Sequence, residues 1–148
     1  RSARAGAPVG FFHFPQEHQA YLFAVEAVRD LVEREPMSSV AVIARDLDSA
    51  GRFCALLADV PEARLVQHGE FSFEPGIDVT DVDNVKGLEF DYVIIVDATR
   101  GAYPDTAEAR RRLHVAVTRA AHQLWVVSSG SASPLVAGRA SPPAGPQA

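Results

Sequence analysis

Hydrophobic and polar positions along this chain fall into blocks that switch between two periods. Val9–Phe14 (VGFFHF) is a short apolar run ended by Pro15, a residue suited to the first turn of a helix. Over residues 16–35, apolar side chains at Tyr21, Ala24, Val25, Val28, Leu31 and Val32 draw the stripe of an amphipathic helix, and Pro36 stops it. Val40–Ala44 (VAVIA) is a continuous apolar run, as expected of a strand covered on both faces. Asp48 or Ser49 is placed to cap a following helix whose stripe is Phe53, Leu56, Leu57 and Val60. Arg64–Gln67 gives a weaker strand signal, residues 68–76 a loop around Pro75-Gly76, and Ile77–Val82 a partly alternating strand. Asp91–Asp97 (DYVIIVD) is the clearest buried strand. Residues 105–121 predict a helix with the stripe Leu113, Ala116, Val117 and Ala120, and Gln123–Ser128 a last strand. Strands alternating with helices predict an α/β fold, a mostly parallel sheet flanked by helices. Ligands of such sheets collect at the carboxyl ends of the strands, and Arg45, Lys86-Gly87 and Arg100 all follow predicted strands.

Composition narrows the class without naming a chemistry. The 148 residues suffice for one domain with a real core, and 47% hydrophobic with 22% charged residues is ordinary for a globular domain. The net charge of -5 gives the chain as a whole no basic footprint for nucleic acid, so any such contact must be local or lie in a larger protein. The single cysteine, Cys54, excludes an internal disulfide and sits in an apolar helical stretch, where it reads as a small buried hydrophobe. No run is long or apolar enough to span a membrane and no signal peptide is visible, which points to the cytoplasm. The first residue is Arg1 rather than Met, consistent with a fragment. Gly and Pro concentrate at the ends: residues 1–7 (RSARAGA) and 134–148 (PLVAGRASPPAGPQA) read as flexible. The expected organisation is a flexible segment 1–7, a domain 8–130 and a tail 131–148.

Two segments carry candidate chemistry. In Thr80–Asp97 (TDVDNVKGLEFDYVIIVD) a strand ends, a Lys-Gly pair and an acid follow, and a deeply apolar strand comes next. Gly87 permits a tight turn, a short helical turn there would aim free N–H groups at an anion or ribose, and Glu89 could accept from sugar hydroxyls. The plain alternative is an ordinary turn. In Glu108–Val127 (EARRRLHVAVTRAAHQLWVV) three consecutive arginines open a helix and Arg119 sits near its end. On a helical wheel Arg119 lies beside Arg112, roughly 100° from the centre of the apolar stripe, at the edge of the buried face. A guanidinium there suits forked contact with phosphate, but on the residues alone the plainer reading of Arg119 is a solvated arginine placed favourably for the helix dipole near the C-terminus, and Arg110 and Arg111 fit a solvated run at least as well.

These two segments resemble motifs V and VI of the UvrD/Rep-type superfamily 1 helicases. Motif V, roughly T-x-H-x-x-K-G-L-E-F, is matched by Asp81-Val82-Asp83-Asn84-Val85-Lys86-Gly87-Leu88-Glu89-Phe90. Motif VI, roughly E-x-R-R-L-L-Y-V-A-x-T-R-A, is matched by Glu108 to Ala120 (EARRRLHVAVTRA). Gly101-Ala102-Tyr103-Pro104 resembles the family's G-x-F-P turn, and Val40–Arg45 the preceding strand that ends in an arginine. The match runs in family order over residues 8–128.

The resemblance implies a RecA-like (P-loop NTPase-type) domain, the second of a pair that encloses ATP and Mg²⁺ in the full-length protein. It implies that Arg119 is the arginine finger, and that Gly87 and Glu89 contact the nucleotide, with Arg45 as a further nucleotide contact. Asp83, Lys86 and Thr118 then fall at nucleic-acid or coupling positions. The implied partners are an upstream RecA-like domain of the same protein and nucleic acid, single-stranded DNA first. The short gap between Arg45 and motif V lacks the large 2B insertion, as in compact helicase IV-like and HelD-like proteins, some of which act on RNA polymerase. Asp81 and Asp83 replace the family's Thr and His, Arg112 a Leu and His114 a Tyr. An acid at the His position repels phosphate. No G-x-x-x-x-G-K-[ST] occurs, no Walker B pair follows an apolar strand, and no metal ligands are assigned. The fragment alone is therefore expected to bind neither ATP nor Mg²⁺ and not to hydrolyse ATP. The competing expectation is a non-catalytic interaction module with a helicase-like fold, for example one binding RNA polymerase.

Overall fold

A computed structural model of the chain describes residues 7–72 and 74–138. Its strands are β1 Val9–Phe14, β2 Ser39–Ala44, β3 Ala63–Leu65, β4 Gly76–Asp81, β5 Phe90–Ile95 and β6 Ala120–Ser129. Its helices are α1 Glu17–Arg34, α2 Leu47–Ala55 and α3 Ala107–Val117. The six strands form one sheet in the order β1-β6-β5-β2-β4-β3, and every neighbouring pair is parallel. The expectation of a mostly parallel sheet is met by one that is parallel throughout.

Two hydrophobic layers explain the continuous apolar runs. In β2, Val40, Val42 and Ala44 turn to one face, where α1, α2 and the turn after α2 supply Tyr21, Ala24, Val28, Leu31, Phe53 and Leu57. Ala41 and Ile43 turn to the other, where α3 supplies Ala109, Leu113 and Ala116. The alternation follows from the two-residue period of a strand, and helices on both faces remove any need for a polar side.

Local boundaries differ from expectation for identifiable reasons. Pro15 lies before α1 rather than in its first turn: Gln16 has extended backbone and is the N-cap, its N–H donating to Gln19 Oε1 at 3.0 Å. The cap of α2 is Asp46, not Asp48 or Ser49, because its Oδ1 accepts the Ser49 N–H at 2.8 Å. That bond also holds the Asp46 carboxyl below the usual carboxylate range. The helix expected over residues 105–121 ends at Val117, since the Phe90 N–H donates to the Arg119 carbonyl at 2.8 Å and draws the chain into the sheet beside β5. Residues 131–138, placed in a tail from sequence, pack against the second layer. Ser133 and Val136 are buried there, Ser133 Oγ donates to the Tyr103 carbonyl at 2.6 Å, and Thr99 bridges Ala132. The rest of that tail, and the expected flexible segment apart from Ala7, lie outside the described residues. Among the described residues no helix is long and apolar enough to cross a membrane.

Candidate functional site

The amino-terminal edge of the sheet gathers most of the expected nucleotide contacts. β4 leads to β5 through Val82–Glu89, a connection that crosses the second face beside α3, pinned by buried Val82 and Val85. Gly87 then turns with a φ of 79°, the left-handed region that glycine enters without a Cβ penalty. The turn brings the Leu88 carbonyl to Arg119, whose Nη1 donates to it at 3.2 Å. Arg119 Nη2 donates to Thr118 Oγ1 at 3.0 Å, while that hydroxyl reaches the His114 and Val115 carbonyls at 3.0 Å. Arg119 is half-buried, and its Nε is buried without a hydrogen-bond partner among the described residues. Two of the five guanidinium hydrogens are thus engaged, and the fork is held in one place with donors to spare. Glu89 and Gly87 are exposed next to it. Glu89 lines a hollow of about 250 Å³ with Leu88, Phe71, Phe90, Met37 and Asp91.

The carboxyl edge holds a second group. Arg45 follows β2 and Asp97 follows β5, neighbouring strands whose crossover helices α2 and α3 leave to opposite faces. This is the switch point of the sheet. The Arg45 peptide is held from both sides: its N–H donates to Asp97 Oδ2 at 3.0 Å, and its carbonyl accepts from Arg112 Nη2 at 2.8 Å. Arg112 Nε stands 3.7 Å from Asp83 Oδ1. Arg45 therefore does not join Arg119, Gly87 and Glu89. Six residues of strand, about 20 Å, separate the two edges.

Residues 76–127 match the family described as UvrD-like helicase C-terminal domain. The chain also superimposes on the C-terminal domain of a "possible DNA helicase" from Lactobacillus plantarum WCFS1. There the TM-score is 0.74 and the identity 27%, over 89% of this chain and 80% of that one. Over that stretch the chain is similar to UvrD-like helicase C-terminal domains. The α/β architecture is RecA-like. The UvsW helicase from bacteriophage T4 shares the fold alone, with a TM-score of 0.55 and 10% identity over 85% of this chain and 47% of that one. No curated protein matches the chain.

In this domain the positions that depart from the motif pattern have structural partners. Asp81, at the family's Thr position, is buried and caps the Val82–Asn84 turn, accepting from Asn84 N at 3.2 Å and from Asn84 Nδ2 at 2.6 Å. Asp83 is exposed and pairs with Arg112, which replaces the family's Leu. These two departures meet in space, a relation that no spacing along the chain reveals. Lys86, also exposed, faces the same groove rather than the Arg119 edge. Neither the Leu88 carbonyl nor Asp97 stands out in the sequence. A carbonyl has no sequence signature, and Asp97 reads as the mere end of an apolar strand.

Proposed function

We propose that this domain is the second half of an ATP site in an ATP-dependent helicase or translocase, supplying Arg119 to a nucleotide held mainly by an upstream RecA-like domain. The observation that carries the reading is the convergence of two segments at one sheet edge: Arg119 from the α3–β6 junction bonded to the carbonyl of Leu88, with Gly87 and Glu89 alongside.

The donors present fit part of a nucleotide. One guanidinium meets a terminal phosphate in a forked geometry, a carboxylate accepts from ribose hydroxyls, and the Gly87 turn lets backbone approach closely. They do not make a phosphate cradle. Mg²⁺ accompanying the nucleotide would supply neutralisation of phosphate charge, and none of the residues gathered here would hold it. The work left for Arg119 is to stabilise charge that develops on the transferred group. Thr118 keeps the guanidinium oriented while the cleft is open. Single-stranded DNA is the nucleic acid this reading assigns to the full-length protein.

In a protein that joins this chain to its upstream domain, Arg119→Ala is expected to lower ATP turnover by about 10³–10⁵-fold. Its circular dichroism spectrum and melting should stay near wild type. Turnover equal to wild type would exclude Arg119 from the site and leave the interaction-module reading standing.

A further inference from the structure

We infer that the hollow between α3 and the β1–β6 side of the sheet is the docking groove for an amphipathic helix of a partner protein. That helix lays an apolar stripe on the strands and sets carboxylates against Arg110 and His114. None of the residues assigned to the nucleotide or to nucleic acid lines this hollow.

The two faces of the sheet are covered unequally. On the first, α1 reaches over β1, where Phe23 meets Phe12 with ring centroids 4.7 Å apart. On the second, α3 is the only α-helix among the described residues that joins the apolar layer. Val9 and Phe11 alternate with Phe12 and so turn to this second face. With Val126 of β6 they floor a hollow of about 360 Å³, walled by Leu113 and Val117 of α3 and by Leu135. Val9 is 46% exposed, one of the few large apolar side chains left open. Two strands about 4.8 Å apart offer the width of one helix, about 10 Å. The α3 side runs from Arg110 through Leu113 and His114 to Val117, about 10 Å or two helical turns.

Charge selects the occupant. Among the described residues, Arg110 and His114 are the only ionisable side chains that line the hollow, and no acid does. In a chain of net charge -5 they make a local basic rim beside an apolar floor. A helix with leucine-like anchors at every third or fourth position and acids beside them matches both features. Arg110 Nη2 now pairs with Asp105 Oδ1 at 2.5 Å, and both side chains are 64% exposed. Solvent screens such a surface pair, so the guanidinium exchanges readily for a partner's carboxylate. A nucleic-acid strand would find one permanent cation and an apolar floor, a poor match for a row of phosphates. An added β-strand would pair with the outer edge of β1 in the plane of the sheet and leave the hollow above that plane unfilled.

The test is an amide NMR titration of the isotope-labelled 148-residue chain with two designed peptides. Each has about sixteen residues, enough to hold a helix, with leucine every three to four positions and either glutamate or lysine elsewhere. The glutamate peptide should shift the amides of Val9, Phe11, Val117 and Val126 and bind about tenfold tighter than the lysine peptide. Val9→Asp, at an exposed position, should weaken it by at least about tenfold while melting stays near wild type. Arg110→Glu combined with His114→Glu should reverse the preference between the two peptides. No binding of either peptide up to about 1 mM, equal affinity for both, or a preference that survives the charge reversal would overturn the proposal. Three further outcomes would overturn the choice of occupant. A dimer of the chain alone that Val9→Asp dissociates would give the groove to a second copy. Tenfold tighter peptide binding by a chain ending at Gly138 would give it to residues 139–148. Oligothymidylate shifting the same amides would give it to nucleic acid. ATP turnover is not read, so loss of the Arg119 reading leaves this result unchanged, and the converse also holds.

Discussion

Asp97 closes β5 with a carboxylate whose acceptor capacity is only partly used. Oδ2 takes the Arg45 N–H, while Oδ1 is buried with no partner among the described residues. Burial pushes its pKa up to about 6 and also raises the Tyr21 and Tyr103 hydroxyls, to which the Asp97 charge adds. An unfolded aspartate titrates near ~3.9, so the folded protein holds this proton more tightly than the unfolded chain does. Between about pH 4 and 6 the native state binds more protons, and stability falls as pH rises through that window. Ionised Asp97 then costs about 3 kcal/mol at neutral pH. Asp97→Asn, which keeps an acceptor for Arg45, should recover up to about that amount at pH 7.5 and almost nothing at pH 4. Urea unfolding at the two pH values measures it, and parallel pH profiles for variant and wild type would contradict it.

Among the elements, α3 bears most on function. Thr106 caps it, Oγ1 accepting the Ala109 N–H at 3.1 Å, and Glu108 in the first turn complements the helix dipole. Its buried line of Ala109, Leu113 and Ala116 fixes its rotation against the second layer, which turns Arg112 towards the Arg45 carbonyl. Arg119 is not on the helix but just past it, oriented by Thr118 and by the carbonyl of Leu88. Thr106→Ala should cost about 1 kcal/mol in denaturant unfolding, seen as a lower midpoint at unchanged m-value. An unchanged midpoint would mean the cap bond contributes nothing. Gly87 is the other local device: open space surrounds it, so its positive φ and not crowding is what calls for glycine.

Across the whole molecule, the two candidate regions lie at opposite edges of one sheet. Arg119, Gly87 and Glu89 stand at the amino edge and the Asp83–Arg112 groove towards the carboxyl edge, with α3, about 16 Å long, reaching between them. The helix is packed along its length, so a shift at one end is transmitted as movement of a rigid body. The segment after β6 belongs to this unit. Ending the chain at Gly130 removes buried Val136 and the Ser133 bonds to Tyr103 and Ala98, and should lower stability by about 2–4 kcal/mol. Thermal melting beside the full chain checks this, and coincident curves would show that the packing contributes nothing.

The apolar runs of β2 and β5 determined by themselves that a parallel sheet with two covered faces would form, because no polar side is left to meet water. The KGLEF and VAVTRA stretches likewise carried the family resemblance and pointed to Arg119, since local backbone and side-chain chemistry are written into contiguous residues. What lay between residues far apart in the chain was not legible. Only the folded sheet separated Arg45 from Arg119, because the strands that precede and follow those residues end at opposite edges. Only packing paired Asp83 with Arg112, since the connection that crosses β2 sets one beside the other. Residues 131–138, mostly small in sequence, were drawn onto the second layer by contacts with Ala98, Thr99 and Tyr103 that no local pattern announces. Arg119 itself was the most legible of the candidate residues, yet its setting was tertiary: the helix expected to carry it stops short, and the carbonyl that holds it comes from the turn at Gly87.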